Sequence, residues 1–559
     1  MNTNSITNKQ YDALVIGSGA AGSFAVKELT QRGLEVLLLE AGRNITEDDF
    51  KNTSKKLKPK GINLKDRVIA GLEGKPKQAR VAFFGKQFKP FFVNDWKHPY
   101  STPPDKPYLW IRGKQLGGRL HAYGRVLMRM SDIDFKAASR DGHGDDWPIS
   151  YADIAPYYDQ VEEFLGVYGN QDHVKNLPDG KFSKKPKLTA LEQKFKADVE
   201  AKWPERSVVS WRYMAPNIER VPPPILAAQE TGCLTIRTDA IVKKITIDPN
   251  TGKATGAEFI DRVTKETHTV SANVVVLCAS TIESVRLLLN SANPKHPNGL
   301  GNSSGLLGRY FMDQLPSMIF AAAPTSKGWE LDDSTPPDPF YGPTGGIYIP
   351  RFQNLENTTN PKFARGFGFQ GTIGRLYVPE DRPSKLGIMG FGEALPNPDN
   401  RITLHPSRKD AWGIPIPHIK CSMTQNDYEL LREQTRSIKE MAENSGYKVE
   451  FAGSTLGLES SKGAFPEEDP FSRLMFRLNF QKSMSLGAAI HECGGVRMGD
   501  DPKTSVLNSY NQCWDVKNLF VTDGSSFTSG GTVGPTLTIM ALTVRACDYI
   551  VKEYKAGAL

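Results

Sequence analysis

Apolar residues enter the chain in short blocks separated by glycine turns. Tyr11–Ile16 is an apolar run, followed by Gly17-Ser-Gly-Ala-Ala-Gly22. A helical stretch, Ser23–Arg32, stops at Gly33, and a second apolar run, Leu34–Leu39, ends in Glu40-Ala-Gly42. This order predicts strand, turn, helix, strand, which is a βαβ unit. Trp147–Tyr168 reads as a turn leading into an amphipathic helix. Leu234–Val276 alternates like a series of short strands, with turns at Pro249-Asn250 and around Asp261. Val274–Cys278 runs into a predicted helix, Ser280–Asn290. Gly345–His405 sets aromatic and β-branched residues between Gly and Pro turns, which predicts an antiparallel sheet. Asn426–Ser445 reads as a helix, Leu519–Val521 as a short strand and Pro535–Tyr554 as a long helix.

Polarity changes the picture in one place. Residues 43–104 form a polar excursion containing Lys and Pro, without clear periodicity. Glu47–Tyr100 alone carries 13 basic and 6 acidic side chains, while the 559-residue chain has a net charge of +8. The excess is therefore local and reads as a solvated face; no nucleic-acid reading module accompanies it. The longest apolar runs have strand length, short of the roughly 20 residues that cross a bilayer. The first ten residues lack an apolar signal core, so the expected compartment is the cytoplasm, or the periplasm by co-export with a signal-bearing partner. The six cysteines are scattered with no CxxC, which argues against a local zinc or iron–sulfur motif, and no metal is expected.

The glycine turn is the first candidate chemistry. It follows a strand and opens a helix, and Glu40 ends the next strand, as in a dinucleotide fingerprint. Gly17 permits the tight turn, Gly19 lets the backbone approach a pyrophosphate, and Gly22 lets helix and strand pack closely. The helix N-terminus offers N–H groups to phosphates. Glu40 suits ribose hydroxyls and disfavours a 2′-phosphate. Ser18, Ala21 and Ala41 flank these positions. A single fingerprint with no later copy favours FAD, reduced directly by the substrate, over a pair of nucleotide sites.

Motifs spread over essentially the whole chain carry a resemblance. They are the N-terminal fingerprint, Arg112-Gly-Lys-Gln-Leu-Gly-Gly118, Asp146-Trp-Pro-Ile-Ser-Tyr151, Gly308-Arg309 and Gly392-Glu-Ala-Leu-Pro396. The C-terminal part adds His491-Glu-Cys-Gly-Gly-Val-Arg-Met-Gly499, Ser505-Val-Leu-Asn508, Asn518-Leu-Phe-Val-Thr-Asp-Gly-Ser525 and Gly534-Pro-Thr-Leu-Thr-Ile-Met-Ala-Leu542. This series resembles the glucose–methanol–choline (GMC) oxidoreductases, and most of all their bacterial sugar-oxidising branch: glucoside 3-dehydrogenases, gluconate 2-dehydrogenase large subunits and pyranose oxidases. The resemblance implies an α/β, Rossmann-like FAD-binding domain interleaved with an α+β substrate domain on an antiparallel sheet. The expected boundaries are 1–45, 105–150, 225–310 and 484–559 for the FAD domain, 46–104 for a basic excursion or lid-like insertion, and 151–224 with 311–483 for the substrate domain. It implies further cofactor residues: Gly117, Gly118, Ala122, Val242, Ala279, Ser280, Asp523, Gly524, Pro535 and Thr536. It also implies that His491 is the base. Neutral imidazole suits that task because its pKa lies near working pH. His98, His143, His173, His268 and His296 lack such context and are expected at the surface.

Three positions depart from the family. Where a His or Asn usually precedes the Pro-Thr-Leu-Thr, this chain has Gly534. Either another group such as Thr532 or a water takes the partner role, or the pocket is opened for a bulkier substrate, or alcohol oxidation is weak. Second, pyranose oxidases tether FAD through a His at the position of Ala122; His121 is one residue early, so FAD is expected to be noncovalent, with His121 left as a candidate pocket-lining residue. Third, Gln314 stands where relatives often carry His, and the sequence assigns it no role.

The implied function is oxidation of a secondary hydroxyl of a sugar or glycoside to a ketone. His491 takes the hydroxyl proton, the hydride goes to flavin N5, and electrons pass on to a quinone, a small or haem-carrying subunit, or oxygen. A non-redox, lyase-like flavoprotein is the alternative that Gly534 raises.

Overall fold

The structure is a computed structural model and describes residues 6–51, 64–81, 84–217, 219–331, 336–356, 359–461 and 470–559. Parts of the expected 46–104 insertion (52–63 and 82–83) and of the expected substrate domain (218, 332–335, 357–358 and 462–469) lie outside the described residues.

The strands are β1 (Gln10–Ile16), β2 (Val36–Leu39), β3 (Val209–Ser210), β4 (Leu234–Arg237), β5 (Ala240–Ile247), β6 (Ala254–Asp261), β7 (Thr267–Leu277), β8 (Leu315–Lys327), β9 (Ile347–Ile349), β10 (Phe367–Ile373), β11 (Pro383–Gly392), β12 (Arg401–Lys409), β13 (Pro415–Lys420), β14 (Lys448–Ser454), β15 (Gly457–Ser461) and β16 (Leu519–Val521). One sheet has the order β4-β2-β1-β7-β6-β5, with β16 beside β7. Its strands β4, β2, β1, β7 and β16 are parallel, and β5, β6 and β7 form an antiparallel meander. One edge of β7 is shared: Ser271 pairs with Gly256 of β6, and Val275–Leu277 pair with Leu519–Val521 of β16. A strand recruited from near residue 520 thus completes a sheet begun at residue 10.

The parallel strands are buried on both faces because helices cover them. Helix Ala20–Gln31 packs on β1 and β2, and helix Thr536–Lys555 packs on Ala20–Gln31. Arg32 and Asp548 form an ion pair between the two helices. Helix Tyr151–Leu165 also lies against Thr536–Lys555, where the Tyr158 hydroxyl and Thr538 Oγ1 are 2.7 Å apart. That helix lies in the stretch expected for the substrate domain and packs on a helix of the stretch expected for the FAD domain.

The second sheet has the order β15-β14-β8-β11-β10-β9-β3 and is antiparallel throughout. Helix Gln425–Asn444 buries Leu430, Leu431, Ile438 and Met441 against it. Its start is fixed by a capping box in which Thr424 accepts from the Asp427 amide. Strands β10 and β11 of this sheet line the space shared with the mixed sheet. The fold is the expected pairing of a Rossmann-like layer with an antiparallel layer.

The segment 46–104 is less solvated than its charge suggests. It contains helix Leu64–Leu72 and short 3-10 turns at Glu47–Phe50, Gln78–Arg80 and Lys86–Phe91. Phe50, Phe84, Phe91 and Phe92 are buried, and Phe91 and Phe92 line the main cavity. Aromatic packing inside a basic stretch outweighs the polar count. His98 and His296, expected at the surface, are largely enclosed. His98 stacks on Trp412 with ring centroids 4.6 Å apart, and burial beside Lys114 pushes its pKa far down.

Candidate active site

A cavity of about 420 Å³ lies between the two layers. Its first half is built by the βαβ turn. Gly17 has φ +98, and a Cβ there would stand 2.4 Å from the Cys278 carbonyl oxygen. A Cβ on Gly22 would stand 1.7 Å from the Gly17 carbonyl oxygen, so helix and turn touch backbone to backbone. Gly19, which caps helix Ala20–Gln31, is different: nothing lies within 4 Å of where its Cβ would be. That open side faces the cavity, which is the space a pyrophosphate needs.

Glu40 organises the turn. Its Oε2 accepts from the Ser18 amide at 3.2 Å and the Ser18 hydroxyl at 2.5 Å, and its Oε1 accepts from the Gly42 amide at 2.8 Å. Oε1 retains a lone pair for a ribose hydroxyl. Burial raises the Glu40 pKa, opposed by those hydrogen bonds. The Ser18 hydroxyl also accepts from the Gly117 amide at 2.9 Å, which joins the βαβ unit to the Gly117-Gly118 segment.

Of the residues expected around the cofactor, Gly17, Ser18, Gly19, Ala21, Glu40, Ala41, Gly118, Ala122, Val242, Ala279, Ser280, Asp523, Gly524, Pro535 and Thr536 line this cavity. Gly22 and Gly117 sit one layer behind it. Three helix N-termini open on the same space, at Gly19, Ser280 and Pro535. Asp523 accepts from the Ser525 amide at 2.9 Å and hydroxyl at 2.6 Å and from the Ser284 hydroxyl. A Cβ on Gly524 would stand 2.9 Å from both the Glu492 carbonyl oxygen and Thr281 Oγ1. An open glycine side, backbone donors at helix ends and a cavity-lining carboxylate together fit a dinucleotide such as FAD. His121 does not line this cavity. It is buried, its Nε2 lies 2.7 Å from the Leu116 carbonyl oxygen, and its ring stacks on Phe91, so the reading that it lines the pocket is corrected.

The second half of the cavity carries His491, the expected base. His491 lies against Phe391 of β11, ring centroids 5.1 Å apart. Its backbone amide donates to Asp313 Oδ1 at 2.9 Å. Its Nδ1 stands 2.6 Å from Gln314 Oε1. The Gln314 amide is oriented unambiguously, because its Nε2 donates to the carbonyls of Gly531 at 2.9 Å and Val533 at 2.8 Å. Oε1 must then accept, so Nδ1 carries the imidazole proton and Nε2 is left with its lone pair. Burial, assisted by the Arg119 cation, pushes the His491 pKa down to about 3, so the ring is neutral at physiological pH. Arg119 itself donates to Glu492 Oε2 at 2.6 Å and to Ser280 Oγ at 3.3 Å. Burial and the nearby Glu492 carboxylate push the Asp313 pKa well up.

Gly534 lies beside His491. A Cβ there would stand 3.6 Å from both His491 Cε1 and Nε2, an ordinary contact, so the flank of Nε2 is open. Thr532 does not fill it: Thr532 is buried outside the cavity lining, and its carbonyl accepts from the Tyr348 hydroxyl at 3.4 Å. Gln370 of β10, which the sequence did not single out, lines the cavity beside its strand partner Met389. Sequence reading also missed Arg119, Asp313 and Phe391, and noted Gln314 only as a departure.

Comparison with known proteins agrees with this geometry. Residues 11–315 and 396–543 match the N- and C-terminal models described as GMC oxidoreductase. The chain is 29% identical to 2-methyl-1,2-propanediol dehydrogenase of Mycolicibacterium austroafricanum, covering 98% of this chain and 96% of that one. It is 25% identical to the fructose dehydrogenase large subunit of Gluconobacter japonicus, covering 98% of each. Among solved structures, pyridoxine 4-oxidase from Mesorbium loti superposes with a TM-score of 0.61 at 16% identity, over 98% of this chain and 99% of that one. With the family model matched across more than half its length and the cofactor cradle and His491 in one cavity, the chain belongs to the GMC oxidoreductases, FAD-binding enzymes acting on CH–OH groups.

Proposed function

We propose that this enzyme oxidises a secondary hydroxyl of a sugar or glycoside to a ketone, with His491 Nε2 as the base. The observation that carries the reading is the His491–Gln314 contact, which leaves the Nε2 lone pair on the cavity side of a neutral ring. The substrate hydroxyl gives its proton to Nε2. Bound FAD supplies the acceptor for the hydride that leaves the same carbon. Phe391 fixes the ring plane, and the closed layer of β10 and β11 limits water around the base. Gln370 makes no side-chain hydrogen bond among the described residues and is offered to a substrate hydroxyl in place of the family's partner at position 534.

FAD is held without a covalent bond. Ala122, at the tether position, has no nucleophilic atom, and His121 is committed to the Leu116 carbonyl. Electrons leave through a separate carrier, a quinone or an electron-transfer subunit. The similarity to a protein described as a dehydrogenase large subunit supports this.

The other named relative acts on a small branched diol, which gives a second substrate reading: a compact vicinal diol in the space beside Gly534. Anaerobic stopped-flow absorbance separates the two. The FAD-loaded protein is mixed with methyl glucosides, glucose, gluconate and 2-methyl-1,2-propanediol. Bleaching of the oxidised-flavin band by a sugar supports the first reading, and bleaching by the diol alone supports the second. A flavin that bleaches with none of them, yet reduces with dithionite, would sink both and favour a non-redox role.

A further inference from the structure

A second, smaller cavity of about 50 Å³ lies behind the wall of the first. Leu120 and Tyr123 line both, so the two spaces are separated by one layer of side chains. The small cavity contains two arginines. Arg125 is only 7% exposed, and its Nε and Nη1 are buried without a hydrogen-bond partner. Its guanidinium lies over the Tyr341 ring, 4.2 Å from the centroid, and forms no ion pair among the described residues. Arg220 lines the same cavity and pairs with Asp338 at 2.9 Å. Asp338, a carboxylate acting on Arg125 among the described residues, is already engaged: besides Arg220 it accepts from the amides of Phe340 and Tyr341, both at 2.8 Å. Both arginines also hold left-handed backbone, with φ +58 at Arg125 and +64 at Arg220. Such strain in non-glycine residues collects at binding sites.

A guanidinium stays charged in a protein, and a buried charge without a counter-ion is costly. Stacking on Tyr341 covers one face of Arg125 but satisfies none of its N–H groups. The missing component is an acceptor with negative charge, small enough for the cavity and matched to a planar fork of donors.

We propose that the small cavity is a binding site for an oxyanion, a carboxylate or phosphate group, held by Arg125 with Arg220 as the second cation. The group comes either from a free ion or from the acidic end of a substrate whose sugar ring lies beyond Leu120 and Tyr123. In either case its occupancy bears on Tyr123, one of the two side chains between the anion and the reaction space.

The test uses the FAD-loaded protein, so that the pyrophosphate cradle is filled. Thermal unfolding is followed while sodium phosphate or sodium acetate replaces sodium chloride at constant ionic strength. A saturable rise in Tm of at least about 2 °C is expected with one of them. It is lost in Arg125→Gln and partly kept in Arg125→Lys. Crystals soaked in selenate are expected to show an anomalous peak at hydrogen-bond distance from the Arg125 guanidinium, a readout that survives if the glutamine variant fails to fold. Identical curves in phosphate, acetate and chloride, or a rise that Arg125→Gln leaves intact together with an empty cavity in the soaked crystal, would overturn the proposal. The two sources separate in kinetics. If the anion belongs to the substrate, phosphate and Arg125→Gln each raise KM for a glycosiduronic acid several-fold and leave that for the neutral glycoside alone. If it is a free ion, Tm rises and neither KM discriminates.

Discussion

His491 Nδ1 and Gln314 Oε1 are 2.6 Å apart, and the other end of the glutamine is pinned by two backbone carbonyls from the Gly531–Gly534 segment. One neutral side chain therefore sets the tautomer of His491 and ties its position to the loop that leads into the C-terminal helix. A carboxylate in the same place would also stabilise imidazolium; an amide orients the ring and stays uncharged.

Replacing Gln314 by Leu removes both functions. Turnover falls by about 10²-fold, the lower end of what a positioned base contributes. Two buried carbonyls lose their donors, so unfolding shifts down by about 1–3 kcal/mol for each group left unpaired. Gln314→Glu keeps an acceptor for Nδ1 but not the donors; it retains more activity than the leucine variant while losing similar stability. Rates and melting curves of the two variants, measured side by side, separate orientation from support.

The pH profile follows from the depressed His491 pKa. The working form is the neutral ring, so activity persists as pH falls through the ordinary imidazole range near 6.5 and declines only as pH approaches about 3. Arg119 is the one named charge holding the value down. In Arg119→Gln the acid limb of kcat/KM moves upward, towards the ordinary range. A wild-type limb at 6.5 or higher would contradict the assigned environment.

Gly534→Asn introduces an amide beside Nε2 at a site where a Cβ meets only ordinary contacts. The fold is preserved. With small alcohols kcat rises on the order of tenfold, a part of the 10²–10³ that one transition-state donor typically contributes. With bulky glycosides KM rises, because the amide occupies space that glycine leaves open. A steady-state comparison of one small and one large substrate reads both effects.

The three fingerprint glycines should differ in kind. Gly19→Ala leaves the melting temperature of the apoprotein within about 1 °C, because its Cβ meets nothing, yet it weakens FAD binding at least about tenfold by filling the phosphate approach. Gly22→Ala drives a methyl into the Gly17 carbonyl and destabilises the apoprotein itself. Fluorescence titration of FAD, alongside unfolding of the apoprotein, distinguishes them.

Acid precipitation of the holoprotein should leave a colourless pellet and a yellow supernatant, because no side chain at position 122 can bond to the flavin. A pellet that stays yellow after washing would show an attachment elsewhere.

Much of the mixed sheet was readable in the chain. Buried parallel strands are short continuous apolar runs, and β1, β2 and β16 fall where the runs are. The antiparallel layer was harder. β8, an interior strand of it, reads Leu-Pro-Ser-Met-Ile-Phe-Ala-Ala-Ala and is buried on both faces over most of its length, so it shows no alternation. Helices Ala190–Lys202, Pro223–Glu230 and Pro470–Ser483 also went unassigned. At the site, His491 and the glycines were visible because their chemistry is tied to local motifs. Gln314 was visible only as an oddity. Its role depends on His491, 177 positions away, and on carbonyls more than 200 positions away, and no local pattern encodes such distances. Gln370 and Arg125 belong to ordinary-looking stretches and acquire meaning only from what surrounds them.

The placement of β16 beside β7 has a consequence for biosynthesis. The nucleotide cradle joins residues 17–21 to residues 523–536, so more than 500 residues separate its two halves and both must have left the ribosome before the cradle closes. Until then the N-terminal βαβ unit has an uncovered helix face where Thr536–Lys555 will dock, and an apolar edge on β7 awaiting its last partner. Such long-range closure is slow. Flavin capture is therefore a late event in the life of this polypeptide.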